Sequence, residues 1–226
     1  MKYTYLLINF LTILFPLLLS FDKRVAFYKC WKFIWPGMAI TGLFFLVWDV
    51  FFTMQGVWSF NDDYILGIKI FQLPLEEVLF FLTVPFACIF IYACLNRYVK
   101  WELPAAVADT ITTAVIVYAL LNCSFNYNKL YTFVTLALTF FALVLVRFVF
   151  KAPWLNRFYV AYAVCLLPFY LVNGYLTSIP IVMYNNAQNL HSRVATIPLE
   201  DHFYLLVLLL MNIAFFEYFK KRSLVH

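Results

Sequence analysis

Long apolar runs, separated by short polar segments, follow one another along the whole chain. Seven of them are long enough to cross a membrane as helices, and none alternates as the strands of a membrane barrel do. Two connections, 54–73 and 178–197, are long and partly polar, while the others are short, which favours a compact up-and-down bundle. We therefore predict an all-α membrane protein with seven transmembrane helices. Their predicted ranges are roughly 3–20, 33–53, 74–95, 104–122, 129–150, 157–177 and 198–219.

Composition and charge agree with a membrane location. The chain is 65% hydrophobic and 12% charged, whereas a soluble domain is about half apolar and a quarter charged. Most of its 16 Lys and Arg residues follow the first, third and fifth runs or end the chain. The positive-inside rule then predicts an N-terminus outside and a C-terminus in the cytoplasm. The setting would be a bacterial-type inner membrane.

An internal repeat divides the chain. Pro74-Leu75-Glu76 and Pro198-Leu199-Glu200 lie 124 residues apart, and the same offset aligns a whole block without a gap. Further pairs at this offset are Thr53 with Thr177, Asn61 with Asn185, Leu66 with Leu190 and Lys69 with Arg193. We predict two parallel three-helix repeats, 1–100 and 125–226, joined by a connecting helix within 101–124. Both copies then run in the same direction across the bilayer.

Two pairs of acids stand out at the start of apolar runs. They are Glu76-Glu77 in the first repeat and Glu200-Asp201 in the second. Acids at membrane depth are costly and are functional candidates by default. They can also serve as interfacial caps, since a carboxylate complements the positive end of the helix dipole. Their repetition favours a function.

Aromatic and polar residues near these acids indicate what the function could be. Helical spacing places Phe80 one turn from Glu76 and Tyr204 one turn from Glu200, while Trp48 adjoins Asp49. A carboxyl group among such rings can hold a proton and act as an acid, and ring faces can stabilise a transient carbocation. Most aromatics in so apolar a chain are simply packing residues. The repeats also differ in charge, with carboxylates in the first where the second has amides: Asp49 against Asn173 and Asp62 against Asn186.

Several other chemistries lack their motifs. The chain has no G-x-G-x-x-G fingerprint and no P-loop, and its five glycines cannot form a nucleotide cradle. Its histidines do not stand at metal-ligand spacing with another ligand on a helix. We expect neither a cofactor nor a metal. The basic residues follow topology rather than forming a patch, so nucleic acid is not an expected partner.

The motifs resemble the integral-membrane lycopene cyclase family, whose members occur as paired small subunits or as fused forms. The resemblance is carried by Phe-Thr-Met-Gln-Gly-Val-Trp (52–58), Phe60-Asn61, Leu-Pro-Leu-Glu-Glu (73–77), Tyr-Asn-Asn (184–186) and Ile-Pro-Leu-Glu-Asp (197–201), and it covers essentially the full length. It implies a cyclase that turns the linear ψ ends of lycopene into β-ionone rings without a flavin. One departure is Asp201, where the first half has glutamate.

The expected chemistry is general acid and base catalysis without redox change. A carboxyl group protonates the terminal double bond, the next double bond closes the ring, and a carboxylate removes a proton. We assign Glu76 and Glu200 as the core pair, with Glu77 and Asp201 assisting. Asn61, Asn185 and Asn186 are expected to orient the acids, and Arg193 to hold one of them ionised.

Other functions stay open at the level of sequence. A non-catalytic carrier of carotenoid or lipid could use the same central space, since parallel repeats also occur in transporters. However, the acids stand at helix starts, and no run carries a row of polar residues. A cyclase of prenylated, longer carotenoids is a nearer alternative. The expected partners are lycopene, related carotenoids and membrane lipid. The sequence leaves open the ring type, the number of ends cyclised, which carboxylate is the acid, and whether the chain forms a homo-oligomer.

Overall fold

The computed structural model describes residues 2–223 and is almost entirely helical. Its helices are α1 (Thr4–Leu19), α2 (Trp31–Met54), α3 (Leu75–Tyr98), α4 (Ala105–Phe125), α5 (Leu130–Val144), α6 (Leu155–Ser178) and α7 (Leu199–Arg222). A 3₁₀ turn, Phe27–Cys30, leads into α2, and a π-helical segment, Leu145–Val149, extends α5. A second 3₁₀ turn covers Asn186–Gln188.

Six of these helices, α2 to α7, are long and apolar enough to cross a membrane. The chain is therefore an integral membrane protein, as its composition predicts. The seventh predicted span, 3–20, is present as α1, an apolar helix of 16 residues. At 1.5 Å per residue it extends about 24 Å, less than the roughly 30 Å of a bilayer core. Helix α1 packs against α3, beside the start of the first acidic motif.

The two polar connections contain short strands. The strands are β1 (Trp58–Phe60), β2 (Lys69–Ile70), β3 (Leu73–Pro74), β4 (Val182–Tyr184), β5 (Arg193–Val194) and β6 (Ile197–Pro198). Hairpin β2–β3 leads directly into α3, and hairpin β5–β6 leads into α7. Pro74 and Pro198 are the N-cap residues, in extended conformation, so each helix begins one residue after its proline. This position suits proline because the residue need not donate an N–H there.

Strands β1 and β4 pair with each other in a reciprocal way. Trp58 faces Tyr184 and Phe60 faces Val182, and residues 58 and 182, like 60 and 184, lie 124 apart. The flanking bonds repeat the pattern: Asn61 N donates to Ile181 O (2.9 Å), and Asn185 N donates to Val57 O (2.8 Å). Each connection therefore donates one backbone hydrogen bond to the other at matching positions. We call positions 124 residues apart equivalent.

Helix packing brings the two acidic motifs into one core. Helix α7 packs against α2 and α5, while α3 packs against α1, α2 and α6. The approach of α2 to α7 depends on a small residue, since a Cβ at Gly37 would lie 2.6 Å from Cβ of Phe215. Both helices that carry the acids are thus surrounded by other helices. The Tyr184 hydroxyl of β4 reaches Asp201 in the first turn of α7.

Candidate active site

Glu76 and Glu200 hold the backbone of the loops that precede them. Glu76 is fully buried, and its Oε1 accepts a 2.7 Å hydrogen bond from the backbone N–H of Leu66. Glu200 does the same with Leu190 at 2.7 Å and also accepts from Thr132 Oγ1 at 2.6 Å. The bonds from Leu66 and Leu190 occur at equivalent positions. The two glutamates expected to lead the chemistry therefore stabilise the connection between strand and helix.

Glu77 and Asp201, one residue further on, line an internal cavity. Each accepts a hydrogen bond from a buried tyrosine at the start of the first helix of its half. Tyr5 Oη donates to Glu77 Oε2 at 2.5 Å, and Tyr131 Oη donates to Asp201 Oδ1 at 2.5 Å. Adjacent residues on a helix point about 100° apart, which is why Glu76 and Glu77 have different surroundings.

Asp201 receives two further hydrogen bonds that Glu77 does not share. Tyr184 Oη donates to its Oδ2 at 2.8 Å and Asn173 Nδ2 at 3.3 Å. At the positions equivalent to Tyr184 and Asn173, the first half has Phe60 and Asp49. Of the predicted differences in charge between the repeats, the one between Asp49 and Asn173 thus occurs directly beside the two cavity acids.

Asp49 is the third acid of the site. It is buried, lines the same cavity and interacts electrostatically with Glu77, which in turn interacts with Asp201. Among residues 2–223, Asp49 Oδ2 has no hydrogen-bond partner. Asp201 thus has three side-chain donors, while Glu77 and Asp49 lie near each other and have fewer donors. Such a site can both release a proton and accept one.

The cavity itself has a volume of about 780 Å³ and is mainly apolar. It begins at the acids and follows α3 from Glu77 to Ile91, about 21 Å along the helix axis. Its walls come from α1, α3, α6 and α7, and its far end includes Cys88 and Cys165. An elongated apolar molecule with one end at the acids fits this shape.

Aromatic rings surround the acids. Trp58, Tyr131, Tyr184 and Tyr204 line the cavity, with the centroid of Trp58 5.2 Å from that of Tyr131 and 6.4 Å from that of Tyr204. Trp48 packs behind Tyr204 at 4.9 Å. Phe80 also lines the cavity, beside Tyr5. Ring faces directed at a reacting centre favour positive charge there.

The polar residues of the loops bind one another, and their hydrogen bonds in the described part of the chain do not reach the acids. Asn61 and Asn185 each accept a backbone N–H two residues on, from Asp63 and Ala187. Asn186 accepts from Arg193, whose guanidinium lies over the Tyr184 ring at 5.9 Å. Asp62 is exposed and pairs with Lys69 at 3.0 Å. These five residues shape the loops instead of contacting the acids, because their partners lie within the two connections. Asn185 links the two, since its Nδ2 also donates to the Gly56 carbonyl at 3.1 Å.

Three tyrosines of the site are not among the site residues predicted from the sequence. Tyr5 and Tyr131 are 126 residues apart, two more than the main offset, so an ungapped comparison at 124 does not align them. Tyr184 belongs to a recognised motif, but nothing in the motif shows that its hydroxyl reaches Asp201. Burial, followed by the charge of Asp201, raises the pKa of Tyr184 well above its ordinary value, so the phenol remains a donor.

Comparison with known proteins gives one match. A family model described as Lycopene cyclase matches residues 2–95 and 128–219. All four motif acids lie within the matched segments, and α4 lies wholly outside them. No curated protein and no solved structure matches the chain. In residues 2–223, no group of three or more His, Cys, Asp or Glu side chains is placed to hold a metal ion.

Proposed function

The chain belongs to the lycopene cyclase family, and on that premise we propose that it closes β-ionone rings at the ψ ends of lycopene within the membrane. The observation that carries this proposal is the pair Glu77 and Asp201 at one end of a long, apolar, ring-lined cavity. Proton transfer at an alkene needs an acid and a base in a water-poor space, and this cavity supplies all three.

The reaction we propose is an isomerisation. A carboxyl proton adds to C2 of the terminal C1=C2 bond and leaves a tertiary cation at C1. The C5=C6 bond attacks C1, so that the C1–C6 bond forms and positive charge moves to C5. Loss of the C6 proton to a carboxylate restores a C5=C6 bond and gives the β ring. One proton enters and one leaves, and no electrons are transferred.

The hydrogen bonds suggest which acid has which role. Donors directed at a carboxylate favour its charged form, while a second carboxyl nearby favours a shared proton. Asp201, with Tyr131, Tyr184 and Asn173 as donors, suits the base. Glu77, with Tyr5 as a donor and Asp49 beside it, suits the proton donor. Because Glu77 and Asp201 also interact, the proton can return to Glu77 for the next turnover.

Glu76 and Glu200 take a positioning role in this proposal. Each bonds to the loop that carries β2 or β5, and neither is among the residues that line the cavity. They fix the helix starts from which Glu77 and Asp201 extend. This assignment gives the catalytic role to Glu77 and Asp201, each one residue after the glutamate expected from the sequence.

The arrangement of the halves forms part of the proposal. Two parallel three-helix repeats, joined by α4, account for the reciprocal β1–β4 pair and for the matched bonds of Glu76 and Glu200. We place the N-terminus and the acids near the outer face. Basic side chains gather at the opposite end, where Arg97 bonds to the Arg24 carbonyl and Arg157 to that of Trp101.

The direct test is expression in cells that accumulate lycopene, followed by pigment extraction. The wild-type chain should yield β-carotene or its one-ringed precursor. Glu77→Gln and Asp201→Asn should leave lycopene unchanged at normal protein levels, because neither amide exchanges a proton as a carboxyl does. Unchanged lycopene with the folded wild-type protein would favour a carrier, and full activity of both variants would exclude the assigned acids.

A further inference from the structure

One wall of the cavity is also part of the outer surface of the molecule. Leu7 and Leu11 of α1 line the cavity, and so does Leu171 of α6. Yet Leu7 is 54% exposed and Leu171 is 76% exposed. Side chains that belong both to a cavity and to the outer surface mark an opening. The opening lies between α1 and α6, on a face that the bilayer would cover.

Helix α1 is hydrogen-bonded to α3, on the side away from the opening. Asn9 Nδ2 donates to the Glu76 carbonyl at 2.9 Å, and Thr83 of α3 donates to Asn9 Oδ1 at 2.7 Å. Together with the Tyr5–Glu77 bond, these contacts fix the acid end of α1 to α3. The polar anchors of α1 thus lie on its α3 side, whereas its contacts with α6 are apolar and lie near the acids, where Tyr5 and Ile8 cluster with Val172 and Leu176.

The equivalent space in the other half is filled. On α6 the cavity is lined by Phe169, Val172 and Leu176, and the equivalent residues on α2 are Phe45, Trp48 and Phe52. Trp48 and Phe52 are larger than their counterparts, and all three side chains are buried and pack together. Phe45 lies 5.0 Å from Tyr204, Trp48 4.9 Å from Tyr204, and Phe52 6.1 Å from Tyr131. A second polyene has no room where Trp48 replaces Val172.

We propose that a linear carotenoid enters sideways from the bilayer between α1 and α6, and that one ψ end is processed in each binding event. The inference rests on the proposed function and adds the route and the number of ends per event. The reacting end lies at Glu77 and Asp201, and the polyene follows the cavity. The rest of the molecule extends through the opening into lipid. A second ring then requires release and re-entry in the reverse orientation.

The opening can be tested with a pair of equivalent substitutions. Leu171→Trp places a bulky ring at the opening, whereas Val47→Trp places the same ring at the equivalent, 64% exposed position on α2. Both sites face the lipid side, so both variants should fold. We expect Leu171→Trp to lower the initial rate of ring formation about tenfold, the effect of roughly 1.4 kcal/mol, and Val47→Trp to stay near wild type. Equal rates for the two variants would overturn the lateral route.

A binding measurement separates this inference from the chemistry. In a Glu77→Gln background, lycopene retained by the purified protein reports occupancy without turnover. Leu171→Trp should reduce the retained pigment and Val47→Trp should not. If the wild type retains lycopene but forms no ring, the proposed function fails while this comparison still decides the route. Retention that is the same in both double variants would contradict the opening.

A time course tests the count of one end per event. Purified protein in liposomes that contain lycopene should release a one-ringed carotene before any two-ringed product forms. An excess of unlabelled lycopene, added early in a reaction with labelled substrate, should then trap the label in the one-ringed product. Two-ringed label that forms at an undiminished rate after this chase would show that both ends are processed without release.

Discussion

Neighbouring acids in one helical turn have different surroundings, which is the basis of the different roles proposed for them. Glu76 is held by the backbone of Leu66, whereas Glu77 meets Tyr5 and the cavity. A glutamine retains the acceptor oxygen of a glutamate but not its exchangeable proton. The same substitution should therefore act differently at the two positions.

Glu76→Gln should retain at least about a third of the wild-type rate, because the amide oxygen still accepts the Leu66 N–H. Glu77→Gln should lower the rate about 10²–10⁴-fold, which is the usual contribution of a general acid. Glu76→Ala should lower the yield of folded protein, since the loop N–H loses its partner. The measurements are ring formation per amount of folded protein and thermal unfolding in detergent. A loss of activity in Glu76→Gln as large as that in Glu77→Gln would return the chemistry to Glu76.

Tyr184→Phe removes one of the three donors to Asp201 and keeps the ring that packs on Trp58. A hydrogen bond to a charged group is worth about 1.5–3 kcal/mol, so the rate of ring closure should fall roughly 10- to 100-fold. Tyr92→Phe is the control, since Tyr92 donates to Glu217, a glutamate at the other end of the bundle, at 2.9 Å. It should affect stability alone. Equal losses of rate in both variants would show a general effect of packing.

At the scale of elements, each acidic helix forms one unit with the hairpin before it. Strand β3 ends at Pro74, which is also the N-cap of α3, and the Leu75 N–H returns to the Ile68 carbonyl at 2.9 Å. The second half repeats this bond from Leu199 to Ser192 at 2.9 Å. Backbone conformation repeats as well, with positive φ at Gly67 and at the equivalent His191. The hairpins thus set where each helix starts.

Helix α2 carries Asp49, which interacts with Glu77, and the packing of α2 on α7 depends on Gly37. A Cβ at this position would lie 2.6 Å from Phe215, so Gly37→Ala should lower stability by about 1–3 kcal/mol. Gly42→Ala is the control on the same helix, because nothing lies within 4 Å of its added Cβ. Thermal unfolding in detergent should show a lower midpoint for Gly37→Ala alone. Equal midpoints would mean that α7 shifts to accommodate the methyl group.

At the scale of the whole molecule, the sequence predicts the bundle better than it predicts the side chains that meet. The offset of 124 identifies equivalent motifs, and the family match falls on two segments of the chain. The sequence does not separate Glu76 from Glu77, because α3 is apolar on all sides and carries no pattern that shows which side faces a cavity. Tyr5 and Tyr131 fall outside the ungapped block. Arg193 carries the right charge for an acid partner, but its loop supplies nearer acceptors.

Two halves that each supply part of one site should function as separate chains. A cut between Trp101 and Glu102 precedes α4, so both fragments retain the orientation of their helices. The first fragment supplies Asp49 and Glu77, and the second supplies Asp201. The β1–β4 pair and the contact of α2 with α7 should hold the fragments together. Coexpression in lycopene-accumulating cells should restore ring formation, and each fragment alone should give none.

Glu77→Gln in the first fragment is the control for this experiment, because assembly should persist while activity is lost. Copurification of the fragments through a tag on one of them measures assembly separately from pigment. Ring formation by a single fragment would mean that one half holds a whole site, against the cavity that both halves line. Fragments that copurify but stay inactive, although the uncut chain is active, would show that the 99–104 connection must be intact for Glu77 and Asp201 to act together.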